Sequence, residues 1–215
     1  MEKIKFIIIG LMGVIITSCK MNSGSEEKLP YLGRFEIVKN ETNNTVDTLW
    51  HKVGDFSFVD QDSALVTPET FKDKIYVTDF FFTSCPDICP IMKTQMTRVY
   101  DKYLDNPEVL LLSHTIDPKH DSVAVLKEFA ERLLVSSDKW KFVTGEKEEI
   151  YRVGQTHYMA SVADEGSRGF VHSGRFFLID KDKHVRGAYD GTNEEEVSIL
   201  LRDIDRLLKE QGSNK

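Results

Sequence analysis

Ile75-Tyr-Val-Thr-Asp-Phe-Phe-Phe-Thr-Ser-Cys-Pro-Asp-Ile-Cys-Pro90 is the stretch on which the fold turns. Its first half is rich in β-branched and aromatic residues, with no glycine or proline, and predicts a buried central strand over 75–82. Its second half carries two cysteines four positions apart and ends on a proline suited to a first helical turn, where its missing N–H costs nothing. A helix is expected from there to about Leu104, because Met92, Met96, Val99 and Tyr103 recur at helical spacing on one face. The stretch therefore reads strand, turn, helix, with both thiols at the junction.

Outward from it, the C-terminal side repeats the alternation. A strand is expected over Val109 to Ser113 and a loop over Ile116 to Asp121. A helix follows from Ser122 to Leu134, with Val123, Leu126, Phe129, Ala130 and Leu133 on one face. Trp140 to Thr144 reads as a short strand, Lys147 to Val153 as a short helix, and 155–171 as a loop. Arg175 to Asp180 and Val185 to Tyr189 form a hairpin around Lys181 to His184. Asn193 can cap a last amphipathic helix bearing Val197, Leu200, Leu201, Ile204 and Leu208. On the N-terminal side, Val53, Phe56, Phe58 and Ala64 to Val66 suggest two short strands around an Asp60 to Ser63 turn. Residues 19–45 are polar and read as a tether with an irregular or hairpin-like lead-in. The order defines one α/β domain over 46–212, a central mixed sheet with helices on both faces.

The first residues are of another kind. Lys3 and Lys5 precede an apolar run from Phe6 to Ile16, too short for the ~20 residues that span a bilayer. A charged start, an apolar centre and small residues before a cleavage point make residues 1–18 a secretory signal. Ile16-Thr-Ser-Cys19 resembles a bacterial lipobox, which implies that Cys19 is acylated and becomes the mature N-terminus. Several acyl chains make a stable anchor where one does not. The expected location is the bacterial cell envelope, lipid-anchored, with the domain on the extracytoplasmic side. Loss of Glu2, Lys3 and Lys5 from 35 acidic and 28 basic residues leaves 34 and 26, a net of −8. That balance argues against nucleic acid, since little is left to neutralise phosphates.

Of three cysteines, Cys19 is assigned to lipid, leaving Cys85 and Cys89 as a pair. A disulfide closing so short a loop restrains the unfolded chain little, so the pair is expected to have chemistry rather than a stabilising role. A strand-to-helix junction offers unpaired N–H groups and a positive dipole end, both favouring thiolate. Redox exchange and soft-metal binding both remain open. Two thiolates are too few for structural zinc without two more ligands, whereas copper accepts low coordination by thiolate and imidazole. Among His51, His114, His120, His157, His172 and His184, only His172 stands just before the strand at Arg175. In a thioredoxin-like sheet the loop into that strand passes the cysteines and carries a cis-proline, yet every proline here lies at or before Pro118. The other five histidines read as bystanders. Met92 and Met96 read as core rather than copper ligands. Asp87 reads as a turn residue or an acceptor for loop amides, and Asp117 and Asp121 as residues that shape their loop and cap the next helix. His157, Tyr158 and Met159 form a cluster within the expected loop.

Phe80-Phe-Phe-Thr-Ser-Cys-Pro-Asp-Ile-Cys-Pro90, Ser113-His-Thr-Ile-Asp-Pro-Lys-His-Asp121 and Val171-His-Ser-Gly-Arg-Phe-Phe-Leu-Ile-Asp180 together resemble the three signature stretches of the Sco/SenC copper chaperones. The resemblance runs from about Val53 to Leu208. It implies a thioredoxin-like fold, one copper ion per chain held by Cys85, Cys89 and His172, and a monomer. It also implies delivery of the ion to the binuclear copper site of cytochrome c oxidase subunit II. Two positions depart from the pattern: Ser84 stands where an aromatic or histidine is common, and Val171 where an acidic residue is. The family includes members that look like thiol-disulfide reductases. The second reading is therefore a tethered oxidoreductase in which Cys85 and Cys89 are the catalytic redox pair, acting on the oxidase subunit or other exported proteins. A peroxiredoxin fits less well, since no active-site arginine is evident beside Cys85.

Overall fold

The structure, a computed structural model, describes residues 28–40, 44–164, 170–172 and 174–212, without the side chains of Asn40 and of 170–172. Strand β5 (Ile75–Phe81) is buried at all seven positions, its polar Thr78 and Asp79 included, as a central strand covered on both faces must be. It pairs in parallel with β6 (Val109–Thr115), which pairs in parallel with β7 (Trp140–Thr144). Helices α1 (Ile88–Tyr103) and α2 (Val123–Leu133) are the crossovers. Beyond β5 lie the antiparallel strands β10 (Arg175–Ile179) and β11 (Val185–Asp190). Beyond β7 lie β3 (Phe58–Asp60) and β4 (Leu65–Val66), giving the order β11-β10-β5-β6-β7-β3-β4.

Alternation along β5 sorts the core into two layers. Ile75, Val77 and Phe81 pack with Met92, Met96 and Val99 of α1 and with Leu200 and Ile204 of α4 (Glu194–Gly212). Tyr76 and Phe80 point the other way, to Ile150 and Val153 of α3 (Lys147–His157). The mixed sheet covered on both faces is thus the expected one. Asn193 caps α4 as expected, its Oδ1 accepting from the amides of Glu195 at 2.9 Å and Glu196 at 3.2 Å.

The stretch 155–171 is not the loop its polarity suggests. Helix α3 continues four residues past Val153 to His157, and β8 (Val162–Asp164) pairs with β9 (Phe170–His172) as a separate two-stranded ribbon. Burial supplies what periodicity does not: Tyr158 is fully buried and its hydroxyl meets that of Tyr76 at 3.1 Å. Three-residue strands are too short to leave a pattern of their own.

An N-terminal hairpin joins β1 (Phe35–Asn40) to β2 (Thr45–Trp50). Its stem is fixed to the β10–β11 turn: Leu32 N–H donates to Val185 O and Val53 N–H to Lys183 O, each at 2.8 Å. Because β10 runs antiparallel to β5, with Ile179 opposite Tyr76, that turn lies at the Ile75 end of the sheet. The cysteines follow Phe81 at the other end, roughly 20 Å away for a strand of this length. The far end is latched by Arg186. Its guanidinium pairs with Asp180 and Glu210, each at 2.9 Å, donates to the carbonyls of Leu29 and Pro30, and lies 4.4 Å from the Tyr31 ring centroid.

Candidate metal centre

Cys85 sits in the turn that leaves β5, half-buried, with its amide donating to Phe82 O at 3.3 Å. Cys89 is the second residue of α1 and is 3% exposed. Neither thiol is in a disulfide, and a hydrogen bond links them. The pair is therefore in contact although the turn between them becomes helical only at Ile88. Thiolate at the helix start is not favoured for Cys89. Burial pushes its thiol up to about 12, against a backbone hydrogen bond from Phe82 and the charge of Lys93. Burial outweighs the helix end because the sulfur lies inside the core layer rather than beyond the first amides. A soft cation that takes the proton's place would relieve that cost.

Behind Cys89 lies a charged cluster that the sequence reading passed over. Lys93, one helical turn along α1, is 3% exposed and pairs with Asp79 of β5 at 2.8 Å. Ser113 bridges to both, and Trp140 Nε1 donates to its hydroxyl at 2.9 Å. The ammonium also lies 4.1 Å from the Phe81 ring centroid. An aspartate in an otherwise apolar strand is the sequence signal for such a pair, since a buried carboxylate requires a partner. Lys93 lines a largely apolar cavity of about 590 Å³ with Phe82, Cys85, Cys89, Phe129 and Leu133. The thiols thus open on a slot with room for a partner's side chains.

The turn itself is braced from β6. Asp121 is fully buried and accepts from the Thr83 amide at 3.0 Å, from the Thr83 and Thr115 hydroxyls, and from His120 Nδ1 at 2.9 Å. Asp121 is not the helix cap: Ser122 caps α2, its side chain accepting from Val125 N–H. A carboxylate with that many donors is more use holding a loop than closing a helix. The bond to Asp121 and its charge raise the pKa of exposed His120. Asp87 is exposed, stands before α1 and makes no side-chain cap bond.

His172 ends β9, its backbone opposite Val162; its side chain lies outside the described residues, as does Cys19. Gly174, two positions on, adopts φ +61°, and a Cβ there would lie 3.4 Å from Cδ1 of Ile88, between the two cysteines. The strand connection thus reaches the cysteine turn without a cis-proline, and no cis peptide bond occurs among the described residues. With Cα atoms ~3.8 Å apart along the chain, the His172 Cα is within about 8 Å of the Gly174 Cα. Among the described side chains no group of three or more His, Cys, Asp or Glu is placed to hold a metal. Met92 and Met96 are fully buried core. His157 is buried at the end of α3, in contact with the hairpin stem through His51.

A parallel-centred sheet carrying two adjacent thiols at a strand-to-helix junction defines a thioredoxin-like dithiol protein. The SCO1/SenC family model matches residues 45–209, and the chain belongs to that family. It is similar to the SCO1/SenC family lipoprotein of Bacillus anthracis, with a TM-score of 0.68 at 26% identity, covering 73% of this chain and 95% of that one. It is also similar to BsSco, described as a member of the Sco family of cytochrome c oxidase assembly proteins with a disulfide switch. There the TM-score is 0.64 at 30% identity, over 72% of this chain and 92% of that one. A putative copper-binding protein of Stutzerimonas stutzeri is 29% identical over 60% of this chain and 64% of its own length.

Proposed function

We propose that this protein is a copper chaperone of the bacterial cell envelope, anchored through an acylated Cys19 with its domain outside the cytoplasm. Cys85, Cys89 and His172 hold one copper ion, and the chain passes it by ligand exchange to the binuclear copper site of cytochrome c oxidase subunit II. The observation that carries the reading is the contact between two reduced thiols beside a strand connection that runs from His172 to Gly174 against Ile88. Two sulfurs and an imidazole suit copper's preference for soft, low coordination. Membership of the family, and a relative described as an oxidase assembly protein, support the destination. Titration of the reduced chain should give one copper per chain, and none after Cys85 and Cys89 are oxidised to a disulfide. His172→Ala should weaken Cu(II) binding and alter the thiolate-to-copper absorption band. An unchanged band and affinity remove His172 from the site.

A second reading is favoured by the hydrogen bond between the thiols and by the relative described with a disulfide switch. In it the protein is a dithiol reductase acting on the cysteines of the oxidase subunit. A His172→Ala strain with normal oxidase beside an inactive Cys89→Ala strain selects it. Oxidase loss in both, rescued by added copper, selects delivery.

A further inference from the structure

The N-terminal hairpin is out of keeping with the rest of the molecule. A lone two-stranded ribbon is marginal in water and gains little from side chains left uncovered. Yet Phe35, Ile37 and Val46 are 54%, 68% and 58% exposed. The register puts Phe35, Ile37, Val46 and Trp50 on one face together with Lys39 and Thr48, while the other face carries Val38 and Leu49 beside Glu36 and Asp47. Tyr31 stacks on Trp50 with centroids 5.7 Å apart, and Phe35 lies tilted against the same ring at 5.1 Å. In a chain of net charge −7, residues 28–52 carry Lys28, Arg34, Lys39 and Lys52 against Glu36, Glu41 and Asp47, one positive charge in excess. A largely apolar face with tryptophan and tyrosine at its edge and a lysine upon it, in a segment of net positive charge within an acidic chain, has the composition of a surface that lies in a membrane interface.

We propose that this face rests on an anionic lipid surface and sets the orientation of the domain. The inference rests on the anchoring of the chain at Cys19. Whatever its conformation, the segment from Cys19 to Tyr31 spans at most about 40 Å, so acylation keeps the hairpin within reach of the same bilayer. The Arg186 latch and the β10–β11 turn hold the hairpin stem at the Ile75 end of the sheet. A hairpin lying on lipid therefore turns the cysteine end away from the membrane, open to a partner that projects from it.

The full chain, purified with its lipid and reconstituted in phosphatidylethanolamine–phosphatidylglycerol vesicles with brominated acyl chains, tests this. Trp50 is partly exposed, whereas Trp140, the other tryptophan, is fully buried. Bromolipid should remove most of the emission that Trp50→Phe also removes. The double variant Ile37→Asp, Val46→Asp should lose the quenching while still floating with the vesicles. A chain that floats without quenching overturns the hairpin's role and leaves the anchor standing, whether water or a second copy covers the face. Quenching that persists in the double variant also overturns it. A chain that does not float removes the anchor and the hairpin inference together.

Discussion

Two buried cations stand at opposite ends of the sheet, and their surroundings differ. Arg186 is saturated: two carboxylates and two main-chain carbonyls take its donors, and Tyr31 covers its plane. Lys93 is held by one carboxylate and one hydroxyl, its remaining neighbours are aromatic rings, and it borders the cavity where the thiols open. The first arrangement fixes a chain segment in place. The second keeps a positive charge beside a sulfur that burial otherwise holds as thiol. A buried ion pair is weak grounds for stability by itself; what distinguishes these two is what each charge faces.

The largest effects should come from breaking either pair. Arg186→Met strands Asp180 and Glu210, and Lys93→Met strands Asp79, each at a cost of about 3–5 kcal/mol in urea unfolding. The comparison predicts a split in the second measurement. Copper affinity of the reduced dithiol should fall in Lys93→Met and hold in Arg186→Met. The double change Asp79→Leu, Lys93→Met should recover most of the stability and none of the affinity. Equal losses of affinity in both single variants would mean that the two clusters do the same job.

A third buried titratable group has no hydrogen-bond partner among the described residues. His114 stacks on Phe80 at 4.9 Å, with Phe58 and Tyr158 around it, and neither ring nitrogen is hydrogen-bonded to a described group. Burial first, and His157 second, push its pKa down to about 3. The folded ring stays neutral where the unfolded ring, near 6.5, takes a proton. Its contribution is whole above pH 6.5 and is lost as pH falls toward 3, about 1.4 kcal/mol per unit. Between pH 7.5 and 5 the wild type should lose roughly 2 kcal/mol from this source, and His114→Phe should flatten that slope. An unaltered slope would assign the acid sensitivity elsewhere.

Smaller again is the brace on the cysteine turn. Asp121→Asn keeps the shape but loses the charge that gathers Thr83, Thr115 and His120, at about 1–2 kcal/mol. Hydrogen exchange at the Thr83 amide should quicken while amides of β10 hold.

Much of this architecture was legible in the residues. Ile75 to Pro90 read as strand, turn and helix because an apolar run, a turn and a helical period follow one another without overlap. The order of elements singled out His172, whose backbone ends β9 two residues before Gly174, the residue that meets Ile88. The exceptions share a cause. Strands β8 and β9 are three residues each, so no period announces them. Cys89 looked like a thiolate at a helix start, but dipole arguments are local and burial is set by the whole layer packed above it. Asp121 looked like a cap because it stands just before the helix expected from Ser122, and only the fold brings Thr83 within its reach.

The hairpin gives the smallest expected change and the sharpest use of the contrast between the two ends. Ile37 is 68% exposed and faces Thr48 across the ribbon. Ile37→Thr keeps a β-branched residue in the strand and removes apolar surface that water already covers. Stability should move by less than about 0.5 kcal/mol. A loss above ~1 kcal/mol would mean that the face packs against the domain in solution, and the ribbon would then belong to the core's economy rather than to an outside surface. Near-neutrality in water combined with lost quenching on vesicles is the pattern a lipid-facing ribbon requires. The cysteine end cannot show that pattern, because there the same residues that bear on function are also buried in the fold.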